Sequence, residues 1–221
     1  MFNIILIVIL VVTLILFGLT RLAADRLMHQ HYEQKSDFFK QNAIQPGDIV
    51  FVGDSLTDGA RWDELFPDLP VKNRGINADN TAGVLKRVGD ILSGNPAAVF
   101  LLVGTNDLAW YSYRTDPGIL KTYETILKRF KLEAPGTRVF VQSLLPRRRS
   151  YAKRIQGINA AFEKLAAQYG YVYINLFPHF ARKDGELRDE LTNDKLHLLA
   201  VGYAIWAEIL TPYLDILERH S

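Results

Sequence analysis

Cysteine is absent from the 221-residue chain, so no disulfide framework holds it and redox compartment gives no clue to its location. An excess of one charge is also missing: 26 Lys and Arg face 24 Asp and Glu, a formal net charge of +2. That balance excludes the broad basic surface that a nucleic-acid partner needs. Internal repeats, low-complexity tracts and metal-ligand spacings are lacking too, and neither a metal nor an organic cofactor is expected. The sharpest absence is local. Residues 1–20 carry no charged side chain, and most are Ile, Leu, Val or Phe.

Phe2 to Thr20 is close to the ~20 apolar residues that cross a bilayer. A soluble core helix is apolar along one stripe only, and this run is apolar all round. A cleaved signal peptide is the competing reading. It calls for a basic segment first, a shorter apolar core and small residues at the cut. Here no Lys or Arg precedes the run, and Thr20-Arg21-Leu22-Ala23-Ala24-Asp25-Arg26 is a poor cleavage site. The expectation is an uncleaved single-pass anchor over 1–20, a helical connector over 21–45 and one domain over 46–221. Basic Arg21, Arg26, Lys35 and Lys40 all follow the span, which favours a cytoplasmic domain by the positive-inside tendency.

About 200 residues remain after the anchor, enough for a single α/β domain. Gln45-Pro46-Gly47-Asp48 is a turn signal ahead of the first strand. Strands are expected at 49–53, 71–73, 98–103, 138–144 and 171–175. Helical patterns lie near 80–93, 117–132, 152–168 and 199–217, and Pro212 should kink or end the last. Such alternation implies parallel strands, right-handed crossovers and helices on both faces.

Three segments carry chemistry. Ile49-Val50-Phe51-Val52 reads as a buried parallel strand, stopped by Gly53 and followed by Asp54 and Ser55. A serine there is a candidate nucleophile whose own N–H points to where an oxyanion forms; the plain alternative is a helix N-cap. A second apolar strand ends in Gly104-Thr105-Asn106-Asp107. The third segment, Leu191-Thr192-Asn193-Asp194-Lys195-Leu196-His197, precedes the last helix. His197 is the best base of the five histidines, because a tight turn lets Asp194 fix its tautomer while the other ring nitrogen faces Ser55.

With Asn73-Arg74-Gly75, these segments resemble the four sequence blocks of the GDSL, or SGNH, hydrolase family. The resemblance rests on Gly53 to Leu56, Gly75, Gly104 to Asp107 and Asp194 to His197, in the family's order across residues 49–200. Asn175-Leu176-Phe177-Pro178, and Gly202-Tyr203 with Trp206, resemble its acetylhydrolase-type branch. The family implies a flavodoxin-like α/β/α sandwich with a five-stranded parallel sheet in the order 2-1-3-4-5. It also implies a Ser55, Asp194, His197 triad and an oxyanion hole formed by the N–H groups of Ser55 and Gly75 and the amide of Asn106. The expected activity is hydrolysis of carboxylic, short-chain acyl esters of lipids or carbohydrates. An acyltransferase and a catalytically silent membrane-tethered module are the alternatives. Hydrolases with such an anchor often act on envelope or extracellular esters, an analogy that opposes the positive-inside reading and leaves the side open.

Two departures stand out. The nucleophile elbow Gly-x-Ser-x-Gly is absent, which argues for a scaffold other than the α/β-hydrolase one. Lys195 stands where the family often has glycine, so it either alters the turn or brings a cation to the cleft. Each residue also has a plainer reading: Asp194 at a helix N-terminus, Gly75 and Gly104 as turn glycines, Asn106 as a turn asparagine and His197 as a structural histidine. Asp54 and Asp107 are expected to hold loops through local backbone bonds. His179 is read as structural or rim, and His29, His31 and His220 receive no role. Arg147, Arg148 and Arg149, with Lys153 and Arg154, read as solvated surface, or as a rim that attracts an anionic substrate or rests on an anionic membrane. Trp110, Tyr111 and Tyr113 either line a pocket or pack a helix. Oligomeric state is not legible.

Overall fold

Four short apolar runs and the more polar Val71–Gly75 form a single parallel sheet. The computed structural model describes residues 2–109, 112 and 114–218; Trp110, Tyr111, Tyr113 and His220 lie outside them. The strands are β1 (Ile49–Gly53), β2 (Val71–Gly75), β3 (Ala98–Leu102), β4 (Arg138–Gln142) and β5 (Val172–Ile174). Their order is β2-β1-β3-β4-β5, as the family resemblance implied. Gly53 is paired with Gly75 on one side and Leu102 on the other, so three neighbouring strands end level.

Alternate strand residues feed two cores. Val50, Val52, Val99, Leu101, Val139 and Val141 pack against α4 (Thr81–Leu92), α5 (Asp116–Glu133) and α6 (Ala152–Tyr169). Ile49, Phe51, Phe100, Leu102 and Phe140 face the short helices α2 (Ser55–Asp58), α3 (Trp62–Leu65) and α7 (Phe177–Phe180), and the long α8 (Ala200–Glu218). Burial on both faces accounts for the unbroken apolar strands. On the second face Phe51 stacks on Trp62 at 3.9 Å between ring centres, and Trp206 donates to buried Gln142 at 2.7 Å.

One expectation changes. Pro212 neither ends nor shortens α8, which runs six residues beyond it. Pro212 and Glu208 are both on the exposed face, where solvent can serve the carbonyl that loses its donor, while Leu210, Leu214 and Leu217 hold the helix on the sheet. Asp107 holds its own loop, as expected, through its own N–H and the Arg114 guanidinium 3.5 Å away, and it also reaches beyond it. It accepts from the Thr81 N–H at 2.9 Å and hydroxyl at 2.7 Å, tying the end of β3 to the start of α4.

Ahead of the sheet lies one continuous helix, α1 (Phe2–Gln41), of 40 residues, about 60 Å at 1.5 Å per residue. Its apolar part is long enough to cross a membrane and is not buried against any part of the chain. The hydroxyls of Thr13 and Thr20 fold back on the carbonyls of Ile9 and Phe17. Further along, α1 meets the domain: Phe39 is buried, with the Arg74 guanidinium 4.7 Å from its ring centre, and Ile44 joins the core beneath α4.

Candidate active site

Ser55 is the first residue of α2, immediately past the end of β1. Only glycine fits at position 53, where a Cβ would lie 2.1 Å from Thr57 Oγ1 and 2.3 Å from the Leu102 carbonyl oxygen. Glycine there lets α2 pack directly against the ends of β1 and β3. Asp54 caps the helix by accepting from the Leu56 N–H at 3.0 Å, so the capping role considered for Ser55 falls to its neighbour. Trp62 Nε1 donates to the Thr57 carbonyl and the Tyr203 hydroxyl to the Leu56 carbonyl, at 3.0 and 3.1 Å. The turn bearing Ser55 is thereby fixed from two further helices.

The opposite wall is the 192–199 segment, a turn without regular structure between Leu191 and α8. Asp194 Oδ1 accepts from the Leu196 and His197 N–H groups at 2.9 and 2.8 Å, and Thr192 Oγ1 accepts from the Lys195 N–H at 3.0 Å. The second oxygen, Oδ2, lies 2.6 Å from His197 Nδ1. His197 Nε2 lies 3.0 Å from Ser55 Oγ, across 142 residues of sequence. Asp194 therefore stands outside the first turn of α8 and has one oxygen for the turn and one for the ring. Desolvation raises its carboxyl, but hydrogen bonds from the His197 ring and from the His197 and Leu196 N–H groups outweigh that and lower it to about 2. It stays ionised throughout the neutral range.

Lys195 takes the left-handed conformation, φ +64°, which accounts for a glycine preference at such a position. Its ammonium does not enter the cleft. It pairs with Asp189, with Glu186 at 3.2 Å and with the Leu187 carbonyl at 3.2 Å.

The three oxyanion candidates sit at the ends of β1, β2 and β3. Gly75 brings the β2 end against α2: a Cβ there would lie 2.2 Å from Asp58 N. Its N–H donates to Asn73 Oδ1 at 2.9 Å, and Asn73 Nδ2 bridges the carbonyls of Thr57, Asp58 and Ala60. Asn106 opens a single 3₁₀ turn after β3 and uses one Nδ2 proton on the Asp79 carbonyl at 2.8 Å. The supporting roles of Asn73, Thr192 and Tyr203 depend on register and on long-range packing, which spacing alone does not convey.

Burial pushes the Asp54 carboxyl up to about 7, with Asp79 and Asp107 adding to it and the Leu56 N–H and Arg147 opposing. Arg147 donates to the Thr105 carbonyl at 3.0 Å and covers the Tyr151 ring at 4.4 Å. Arg154 binds Asp116 and the carbonyls of Leu108 and Arg114. Two cations of the basic cluster thus brace loops, whereas Arg148, Arg149 and Lys153 are exposed. His179 is also exposed.

A serine, a histidine and a carboxylate in hydrogen-bond sequence beside the strand ends of a doubly wound parallel sheet are the arrangement of the SGNH-type hydrolase class. A family model for the GDSL-like Lipase/Acylhydrolase family matches residues 51–205. Platelet-activating factor acetylhydrolase IB subunit alpha2 of Rattus norvegicus is 30% identical over 193 residues, covering 81% of this chain and 80% of its own. A solved structure from Streptococcus pneumonia, provisionally described as a platelet activating factor, superposes with a TM-score of 0.81 at 26% identity, covering 89% of this chain and 99% of that one. A GDSL-like lipase structure from Bacteroides thetaiotaomicron gives a TM-score of 0.74 at 21% identity, over 86% and 98%. The chain belongs to the GDSL-like lipase and acylhydrolase family, and is a carboxylic ester hydrolase of that type.

Proposed function

We propose that this protein is a membrane-anchored esterase that cleaves short-chain acyl esters of lipids or carbohydrates through a covalent acyl-enzyme. Ser55 Oγ attacks the ester carbonyl as its proton passes to His197 Nε2, and Asp194 holds the Nδ1–H and stabilises the imidazolium. The tetrahedral oxyanion is held by the Ser55 N–H, by Asn106 and by the Gly75 N–H, which exchanges its bond to Asn73 for the developing charge. His197 returns the proton to the leaving alcohol. Water, deprotonated by the same ring, then frees the acid and restores Ser55.

The observation that carries this reading is the unbroken relay from Ser55 to His197 to Asp194, at 3.0 and 2.6 Å. The acetylhydrolase name of the rat relative supports a small acyl group. Residues 1–20 are read as the anchor, 21–45 as the connector and 46–221 as the hydrolase domain. An unburied apolar run with self-satisfied threonine hydroxyls supports the anchor. No nucleic-acid partner is proposed. The test compares p-nitrophenyl esters from acetate to laurate with the detergent-solubilised chain and Ser55→Ala. The parent should turn over acetate best, and the folded variant should lose at least ~10³-fold. Equal rates in the two would overturn the assignment.

A further inference from the structure

The direction of α1 fixes which end of the domain meets the membrane. From residue 31 onward α1 descends beside α4 in the same sense. His31 and Lys35 lie on Asp58, at 3.8 and 2.6 Å, at the end of the Ser55 helix. The Tyr32 hydroxyl reaches the Gly83 carbonyl at 3.4 Å, in the first turn of α4, and the Lys86 ammonium lies 5.8 Å from the centre of its ring. Lower down, Ser36 and Phe39 line a cavity with Arg87 and Ile91. At the foot, Ile44 fills the space beside Gly94.

Because α4 starts at the strand ends that carry Ser55, Gly75 and Asn106, tracing α1 backwards leads up past that rim and then away from the domain. Residues 21–30 are one uninterrupted stretch of α1, nearly all exposed, and rise about 15 Å before the apolar run begins.

We propose that α1 is a rigid post that turns the active-site mouth toward the bilayer and holds it about 15 Å above the hydrocarbon. Exposed Arg148, Arg149 and Lys153 follow β4 on the same rim, where anionic head groups attract them. The esters this mouth meets first are those carried by the polar heads of molecules resident in the same membrane. That consequence rests on the esterase reading; the orientation does not.

The chain's lack of cysteine makes the test direct. Ser150→Cys places a single thiol on the rim, and Ser93→Cys places one at the foot of α4; both positions are exposed. Each full-length variant is labelled with a donor dye and reconstituted into phosphatidylcholine–phosphatidylglycerol vesicles bearing a head-group acceptor. The rim donor should be quenched clearly more than the foot donor. Leu27→Pro, which interrupts the post above the docked turns, should narrow that difference and leave p-nitrophenyl acetate hydrolysis within about twofold. Equal or reversed quenching, an unchanged difference in Leu27→Pro, or failure of the parent to float with vesicles would overturn the proposal. Loss of esterase activity with rim quenching intact would instead strike the catalytic reading and leave the orientation standing.

Discussion

At the scale of single residues, Asp194 does two jobs with two oxygens, and the jobs separate by mutation. Asp194→Asn keeps an acceptor for the Leu196 and His197 N–H groups but presents an NH₂ to Nδ1. The ring then carries its proton on Nε2, facing Ser55, and ceases to be a base. We expect kcat to fall at least ~100-fold while the thermal transition moves by less than about 1 kcal/mol equivalent; a large loss of stability would show the turn, not the tautomer, to be at stake. Asp54 gives a pH signature. Its folded-state value of about 7 exceeds the ordinary 3.8, so between pH 4 and 7 the native state binds a proton that the unfolded chain releases. Stability contributed by protonated Asp54 is full below about pH 4 and is lost as pH rises through 7, by up to about 1.4 kcal/mol per pH unit. Asp54→Asn, which retains an acceptor for Leu56, should flatten the dependence of Tm on pH in that window. Parallel curves for parent and variant would contradict the assignment. That Ser55, His197 and Asp194 would meet was legible from residue type and order. Asn73 was not, because its bonds to the backbone of residues 57–60 exist only once β2 lies in register beside β1.

At the scale of elements, the sequence marked β1, β3 and β4 well because they are buried on both faces and read as short apolar runs, whereas the edge strands β2 and β5 are partly exposed and carry weaker patterns. The four long domain helices fell within one or two residues of their patterns. Of the two outcomes expected of Pro212, ending the helix does not occur, since a proline rule says nothing about which face of the helix it occupies. The freed Glu208 carbonyl lies on the exposed face, and α8 stays docked through Trp206, Leu210 and Leu214. Pro212→Ala restores the missing hydrogen bond and relieves the ring, and should stabilise the protein by about 1–3 kcal/mol. Denaturant midpoints with and without the substitution measure it; a lower midpoint would mean that α8 is shaped by the proline rather than tolerant of it. Lys195 likewise carries a left-handed backbone that spacing could not reveal, compensated by its ion pairs with Glu186 and Asp189.

At the scale of the whole molecule, the end of α1 and the residues after it are part of the domain's packing. Phe39 and Ile44 are buried, and their loose spacing in a mixed polar stretch disguised this. A soluble fragment should therefore begin before residue 31 to retain the native contacts. The sheet order, the two cores and the docked helix together bring one serine to one histidine at the mouth of the domain. The most direct test of that arrangement is intact-mass and peptide mapping of the full chain after reaction with a fluorophosphonate. The account predicts a single adduct, located on Ser55, formed by the parent and not by a folded His197→Ala variant. An unreacted parent, or an adduct on another residue, would contradict it.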